Sequence, residues 1–289
     1  MLQSEPTRLS PGAAATLACL YEATAAKPGN VHPGAAFDDV SYADFVASAV
    51  VIGPLIDQAP QLGVGRTVLD AVRATRAAVG TNTNLGTLLL ITPLSVVAPG
   101  QSLSEGVDEV LASLTNQDTR HVYEAIRISS AGGLGRAEKA DVFADPPSDL
   151  TLVDAMRLAA DRDTVARQYT NGFADVLQGT AAWIADALAR EIPLGEAIVW
   201  AHLKQLAQSP DSLIGRKCGP QVAAQATRRA AALIELESRG GSVVRDALND
   251  FDCWLREDGH RRNPGTTADL VAAGLFVLLR EGRLNWSAW

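Results

Sequence analysis

Hydrophobic positions recur at helical spacing from one end of this chain to the other. In "RTVLDAVRATRAAVG", Val68, Val72 and Val79 share one face, arginines lie between them, and the run stops at Gly80. Ser10 ahead of Pro11 is an N-cap with proline at the first helical position, and predicts a helix running to about Ala26. Ser41 with Asp44 reads as a capping box in front of "FVASAVVIGPLI". Thr115 with Asp118 opens "RHVYEAIRIS", and Thr151 with Asp154 opens "AMRLAADRD". "FADVLQGTAAWIADALAR", "GEAIVWAHLKQLA", "PQVAAQATRRAAALIELES", "VRDALNDFDCWLRE" and "TADLVAAGLFVLLREG" are amphipathic or wholly apolar at the same period. "LGTLLLITPLSVVAPG" holds Pro93 and two threonines and is too short to span a bilayer, so it predicts a buried core helix. No convincing run of alternating β-branched residues marks a strand. The expectation is an all-α fold, about ten helices in one globular multi-helix domain, with a polar site formed by inter-helix loops. That domain covers residues 1–289, because "ADPPSDL" (144–150), the best candidate hinge, reads as a helix-to-helix connection.

Composition sharpens this picture. Hydrophobic residues make up 47% of the chain, enough for a sizeable core, and aromatics only 5%, so small side chains let helices approach closely. The net charge of −8 argues against a dedicated nucleic-acid binder and leaves room for a local basic pocket. Cys19, Cys218 and Cys253 are far apart, which fits neither a metal knuckle nor a redox motif and points to a reducing cytoplasm. The opening "MLQSEPTRLSPG" lacks the regions of a signal peptide. A cytoplasmic protein with no membrane or nucleic-acid partner is expected, with a homodimer as the assembly.

Five polar connections interrupt the helical pattern, and an all-α enzyme builds its site from such loops. "AAKPGNVHPGAAFDD" (25–39) packs Lys27, Asn30, His32, Asp38 and Asp39 into one turn-rich segment. In "GTNTNLG" (80–86), Asn82, Thr83 and Asn84 either cap the helix that follows or meet a sugar or base edge. "AGGLGRAEKAD" (131–141) is either a surface loop or an anion cradle of glycines, Gly133 among them, with Arg136. It is neither a P-loop nor a dinucleotide fingerprint. In "DRDTVARQYTNG" (161–172), Asp163 and Arg167 stand at i,i+4, as an intrahelical pair or as inward-facing site residues. "DGHRRNPGTTADL" (258–270) brings Arg261 and Arg262 to Gly265, Thr266 and Thr267 at a helix start, a place that favours phosphate. His121 and His202 have no partner at metal spacing and read as surface or core histidines. GxSxG, HExxH and a catalytic-cysteine context are all absent, which takes most of the support from hydrolase and zinc-enzyme readings.

Taken in order from about Leu17 to Leu278, these loops resemble the triphosphoribosyl-dephospho-CoA synthase family. "EATAAKPGNVHPGAAFDD" resembles its opening motif through Glu22, Lys27, Pro28, Gly29, Gly34 and Asp38. "GTNTNLG" is similar to an Asn-Thr-His-Lys-Gly motif through Asn82, Thr83 and Gly86. "GGLGRAE" matches through Gly132, Gly133, Arg136 and Glu138, and "DRDTVAR" through Asp163, Thr164 and Arg167. "PGTTADL" resembles the closing motif through Gly265, Ala268, Asp269 and Leu270. Two departures stand out: Asn84-Leu85 replace a family His-Lys, and Ala36 replaces a His.

The resemblance implies a transferase that joins the ribose C1 of ATP to an acceptor hydroxyl and releases adenine. It implies Asp38, Asp163 and Asp269 as catalytic carboxylates, with Asp39 and Glu22 behind them. Lys27, Arg136, Arg167, Arg261 and Arg262 become candidates for the phosphates, helped by Gly133, Gly265 and Thr266. Asn82, Thr83 and Asn84 would position ribose or base, and Asp38, Asp39 and Asp163 would hold Mg²⁺. The partner implied is a small-molecule nucleotide. Divergent members of this kind are associated with one-carbon carriers of the tetrahydromethanopterin or methanofuran type. The lost His and Lys leave a non-catalytic nucleotide-binding protein open as the alternative.

Overall fold

The structure is a computed structural model that describes residues 9–129, 141–237 and 241–286. Its described residues form fifteen α-helices and no sheet; a lone bridge pairs His32 with Ala35. The all-α expectation holds, with more helices than the pattern predicted.

The N-terminal half begins with α1 (Pro11–Thr24) and α2 (Tyr42–Ile56). Ser10 caps α1 by accepting from Ala13 N at 3.2 Å, and the Asp57 carboxylate accepts from Gly12 N at 2.6 Å. Ser41 and Asp44 form the expected box, with Ser41 N donating to Asp44 Oδ2 at 2.7 Å. The two helices touch through glycine: a Cβ on Gly12 would stand 2.1 Å from Gly53 O. A four-residue α3 (Ala59–Leu62) leads into α4 (Val64–Val79), which ends at Gly80 in the left-handed conformation, φ 72°. The predicted buried helix is α5 (Leu85–Val96), where Leu88, Leu90 and Leu94 are wholly buried. Each such leucine contributes roughly 1.5–3 kcal/mol relative to exposure. α6 (Leu103–Ser113) and α7 (Asn116–Ser129) follow.

After the connection at 144–150 come α8 (Leu152–Arg157) and α9 (Thr164–Gln168). The segment expected as one helix after Phe173 starts as a π-helical turn (Asp175–Thr180) and continues as α10 (Ala181–Ala189). Arg167 and Gln168 both bond the Asp175 carboxylate at its start. The C-terminal half comprises α11 (Leu194–Gln208), α12 (Ser212–Cys218), α13 (Pro220–Glu237), α14 (Gly241–Arg256) and α15 (Gly265–Arg280).

Two buried clusters organise these helices. The larger unites α1, α2 and α4–α11 with α15, whose residues from Leu270 to Leu279 are all buried. The smaller joins the outer face of α11 to α12, α13 and α14. Among the described residues no helix is long and apolar enough to cross a membrane.

Candidate active site

The inter-helix loops converge on a cavity of about 1020 Å³. That is a size suited to a nucleotide-class ligand. α7 and α8 line it with Val122, Tyr123, Ile126, Leu152 and Met156, while the turns bring charge.

At its floor lies Asp269, from the first turns of α15. Thr87 Oγ1 donates to Asp269 Oδ1 at 2.6 Å. The carboxylate rests over Gly86, where a Cβ would come within 2.0 Å of Oδ2, so the α5 backbone is bare at this point for a reason. Asp269 is partly buried on the cavity wall. Burial lifts its pKa to about 7; the Thr87 hydrogen bond opposes the rise and the nearby Glu22 charge adds to it. Cys19 shares this floor, and burial pushes its thiol far up, which leaves it inert. Glu22, also on the wall, is held by Lys27 Nζ at 2.9 Å. The Lys27 ammonium is wholly buried and donates as well to the carbonyls of Glu22 and Ala25.

A second group of charges comes from α9 and α12. Asp163 caps α9, its Oδ1 accepting from Val165 N at 2.9 Å and Ala166 N at 3.2 Å, while its Oδ2 meets Arg216 Nη1 at 2.5 Å. The i,i+4 pair read from sequence is not formed: Arg167 turns to Asp175 at 2.8 Å instead, since the cap already commits Asp163. Asp211 caps α12 through Leu213 N and Ile214 N, and also accepts from Thr267 N at 2.7 Å and Thr267 Oγ1 at 2.8 Å. Burial raises its pKa, against the pull of these donors. Thus the N-terminus of α15, expected to attract a phosphate, already gives Thr267 to an anion of the chain itself.

The cavity wall gathers Asn82, Thr83, Asn84, Asp39, Asp163, Arg167, Gly265, Thr266 and Asp269 from the sequence candidates. Asn82 Oδ1 accepts from Leu85 N at 3.1 Å, which is the capping role; Thr83 bonds Ser48 and Asn84 bonds Thr75. Other candidates stand off it. Asp38 is exposed and does not line the wall, and Lys27 sits behind Glu22. Arg261 binds Asp258 and Lys217 O at the surface. Arg262 stacks on Trp254, 4.7 Å from the ring centroid, and bonds Glu257. Gly133 and Arg136 lie outside the described residues. The expected Mg²⁺ trio is engaged elsewhere or off the wall: Asp39 pairs with His260 at 2.9 Å, Asp163 is committed to its cap and to Arg216, and Asp38 is exposed and does not line the cavity. Among the described residues no three His, Cys, Asp or Glu side chains converge as metal ligands, so the three aspartates do not form one protein-only magnesium site. His202 is a buried core histidine beside Asn30, kept neutral by desolvation, and His121 lies next to Gln117 on α7.

Sequence reading missed Asp211, Arg216 and Lys217, all on the wall. The signal was present in "SPDSLIGRKCGP", where an Asx cap opens a short helix whose last turn carries Arg-Lys ahead of Gly219.

The family model described as ATP:dephospho-CoA triphosphoribosyl transferase matches residues 8–288. A crystal structure from Archaeoglobus fulgidus, assigned as a triphosphoribosyl-dephospho-CoA synthase, shares the fold with a TM-score of 0.64. It is 24% identical and covers 83% of this chain and 100% of its own. No curated protein matches the sequence. Helical fold, large cavity and family match together define an enzyme, an all-α transferase of a family that takes ATP as substrate. The chain belongs to the ATP:dephospho-CoA triphosphoribosyl transferase (CitG) family.

Proposed function

We propose that this protein moves the triphosphoribosyl group of ATP from adenine to an acceptor hydroxyl. The C1′–N9 bond breaks, its electron pair leaves with adenine, and adenine takes up a proton. The acceptor oxygen forms the new bond to C1′ and gives up its own proton. The observation that carries this reading is Asp269 on the cavity floor, oriented by Thr87 and with its pKa near 7. A carboxyl tuned to that range is ionised in part at neutral pH and accepts the hydroxyl proton efficiently. Glu22 beside it supplies negative charge for an oxocarbenium-like C1′, and Lys27 fixes its orientation. Asp163 stands on the same wall as a positioning group, spanning the α9 cap and Arg216. Magnesium enters this reading only as an ion carried in by the triphosphate.

Asp269→Asn should lower adenine release, followed by chromatography with ATP and dephospho-CoA, by about 10²–10⁴-fold. The ATP-induced rise in melting temperature should persist. Full turnover in this variant would sink the assignment. A second reading, nucleotide binding without transfer, draws on Asn84 and Leu85, which are buried at positions where the family carries His and Lys. Tight ATP binding by the wild type with no adenine from any acceptor hydroxyl selects it.

A further inference from the structure

The charged groups of the cavity wall are mostly satisfied from within the chain. Arg216 has Asp163, Arg167 has Asp175 and His260 has Asp39. The Lys217 side chain is half-buried on the same wall, and its ammonium makes no hydrogen bond or ion pair among the described residues. Its nearest carboxylates are already engaged, Asp39 by His260 and Asp211 by four donors. An ammonium drawn partly out of water without an anion is destabilised, and desolvation accordingly lowers the Lys217 pKa.

The backbone beneath it is fixed. Thr164 N and Oγ1 bond Ser212 Oγ at 2.8 and 2.9 Å at one end of α12. At the other end Arg261 Nη2 donates to Lys217 O at 3.0 Å, and Cys218 Sγ donates to Arg261 O at 3.4 Å. Next to it, Arg216 keeps a buried Nε without a partner. Among the described residues two more wall cations have no carboxylate partner: the half-buried Arg76 donates to Gly80 O at 2.6 Å and the exposed Arg162 to Leu158 O at 2.9 Å.

We propose that Lys217 is the anchoring cation for the polyphosphate chain of the nucleotide, with Arg76 and Arg162 as the other uncompensated charges on the wall. Three such cations suit a triphosphate far better than a single carboxylate or phosphate ester. This deepens the transfer reading and rests on it for the identity of the nucleotide. Binding of the polyphosphate can be measured without turnover.

The test uses the intact wild-type protein, inorganic tripolyphosphate and an amine-acylating reagent read by mass spectrometry. Lys217 should be acylated in the free protein and protected by tripolyphosphate or ATP, but not by adenosine. Lys217→Gln should weaken tripolyphosphate binding by at least about tenfold and flatten the preference for ATP over AMP; Lys217→Arg should keep most of it. Equal acylation with and without tripolyphosphate, or unchanged binding in Lys217→Gln, overturns the proposal. Protection without any adenine release would leave this anchor standing and overturn the transfer reading alone.

Discussion

Asp269 sets the pH behaviour expected of the site. Its folded pKa of about 7 lies above the ordinary carboxylate value of 3.8. Between roughly pH 4 and pH 7 the folded protein therefore holds a proton that the unfolded chain has released, so the stability this group contributes falls as pH rises. Melting temperatures measured across that window should decline in the wild type, and Asp269→Asn should remove that part of the decline; parallel curves would refute it. Asp211 is the opposite kind of residue, a carboxylate whose work is structural. Removing it in Asp211→Ala leaves two helix starts without their acceptor and buried Thr267 donors unmatched. The expected cost is about 2–4 kcal/mol in denaturant unfolding. Half of this was legible in the sequence: Asp211 before "SLIG" is a plain N-cap. Its bond to Thr267 joins positions 56 apart, and no local pattern encodes that. The same limit explains Lys27. Its charge in a Pro-Gly loop reads as solvent- or ligand-facing, whereas the fold buries it against Glu22.

Long helices were the readable elements, because an apolar face of three or four turns leaves a clear period. α1, α2, α4, α5 and α15 follow the predicted caps and cores closely. α3 and α12 were invisible to that reasoning, being four and seven residues long, too short to show a period. The π-helical turn before α10 also left no mark, since it arises where Arg167 and Gln168 draw in Asp175. That turn packs on α15 through Gly274, where a Cβ would lie 2.4 Å from Thr180 Oγ1 and 2.8 Å from Ala181 N. One of these neighbours is backbone and cannot swing aside. Gly274→Ala should therefore destabilise the protein by about 1–3 kcal/mol, measured by chemical denaturation, while an alanine at the solvent-facing Gly80 position would act through its positive φ instead.

At the scale of the whole molecule, the cavity is assembled from both ends of the chain. ATP at about 100 times its Kd should stabilise the fold by about 2.7 kcal/mol, visible as a higher melting temperature. Absence of any shift would count against nucleotide binding altogether. The loop between α1 and α2 is clasped at three points by residues from α14 and the turn after it. Gly29 N donates to Asp252 Oδ1 at 2.7 Å, Arg256 Nη2 donates to Asn30 O, and Asp39 meets His260. The two sides of these contacts are 223, 226 and 221 positions apart. On a ribosome adding about 5–20 residues per second, the loop thus waits roughly 10–45 s for its clasp. Asp269 lies further along the chain still, so the growing chain holds only part of the pocket wall until residues 252–269 have been added.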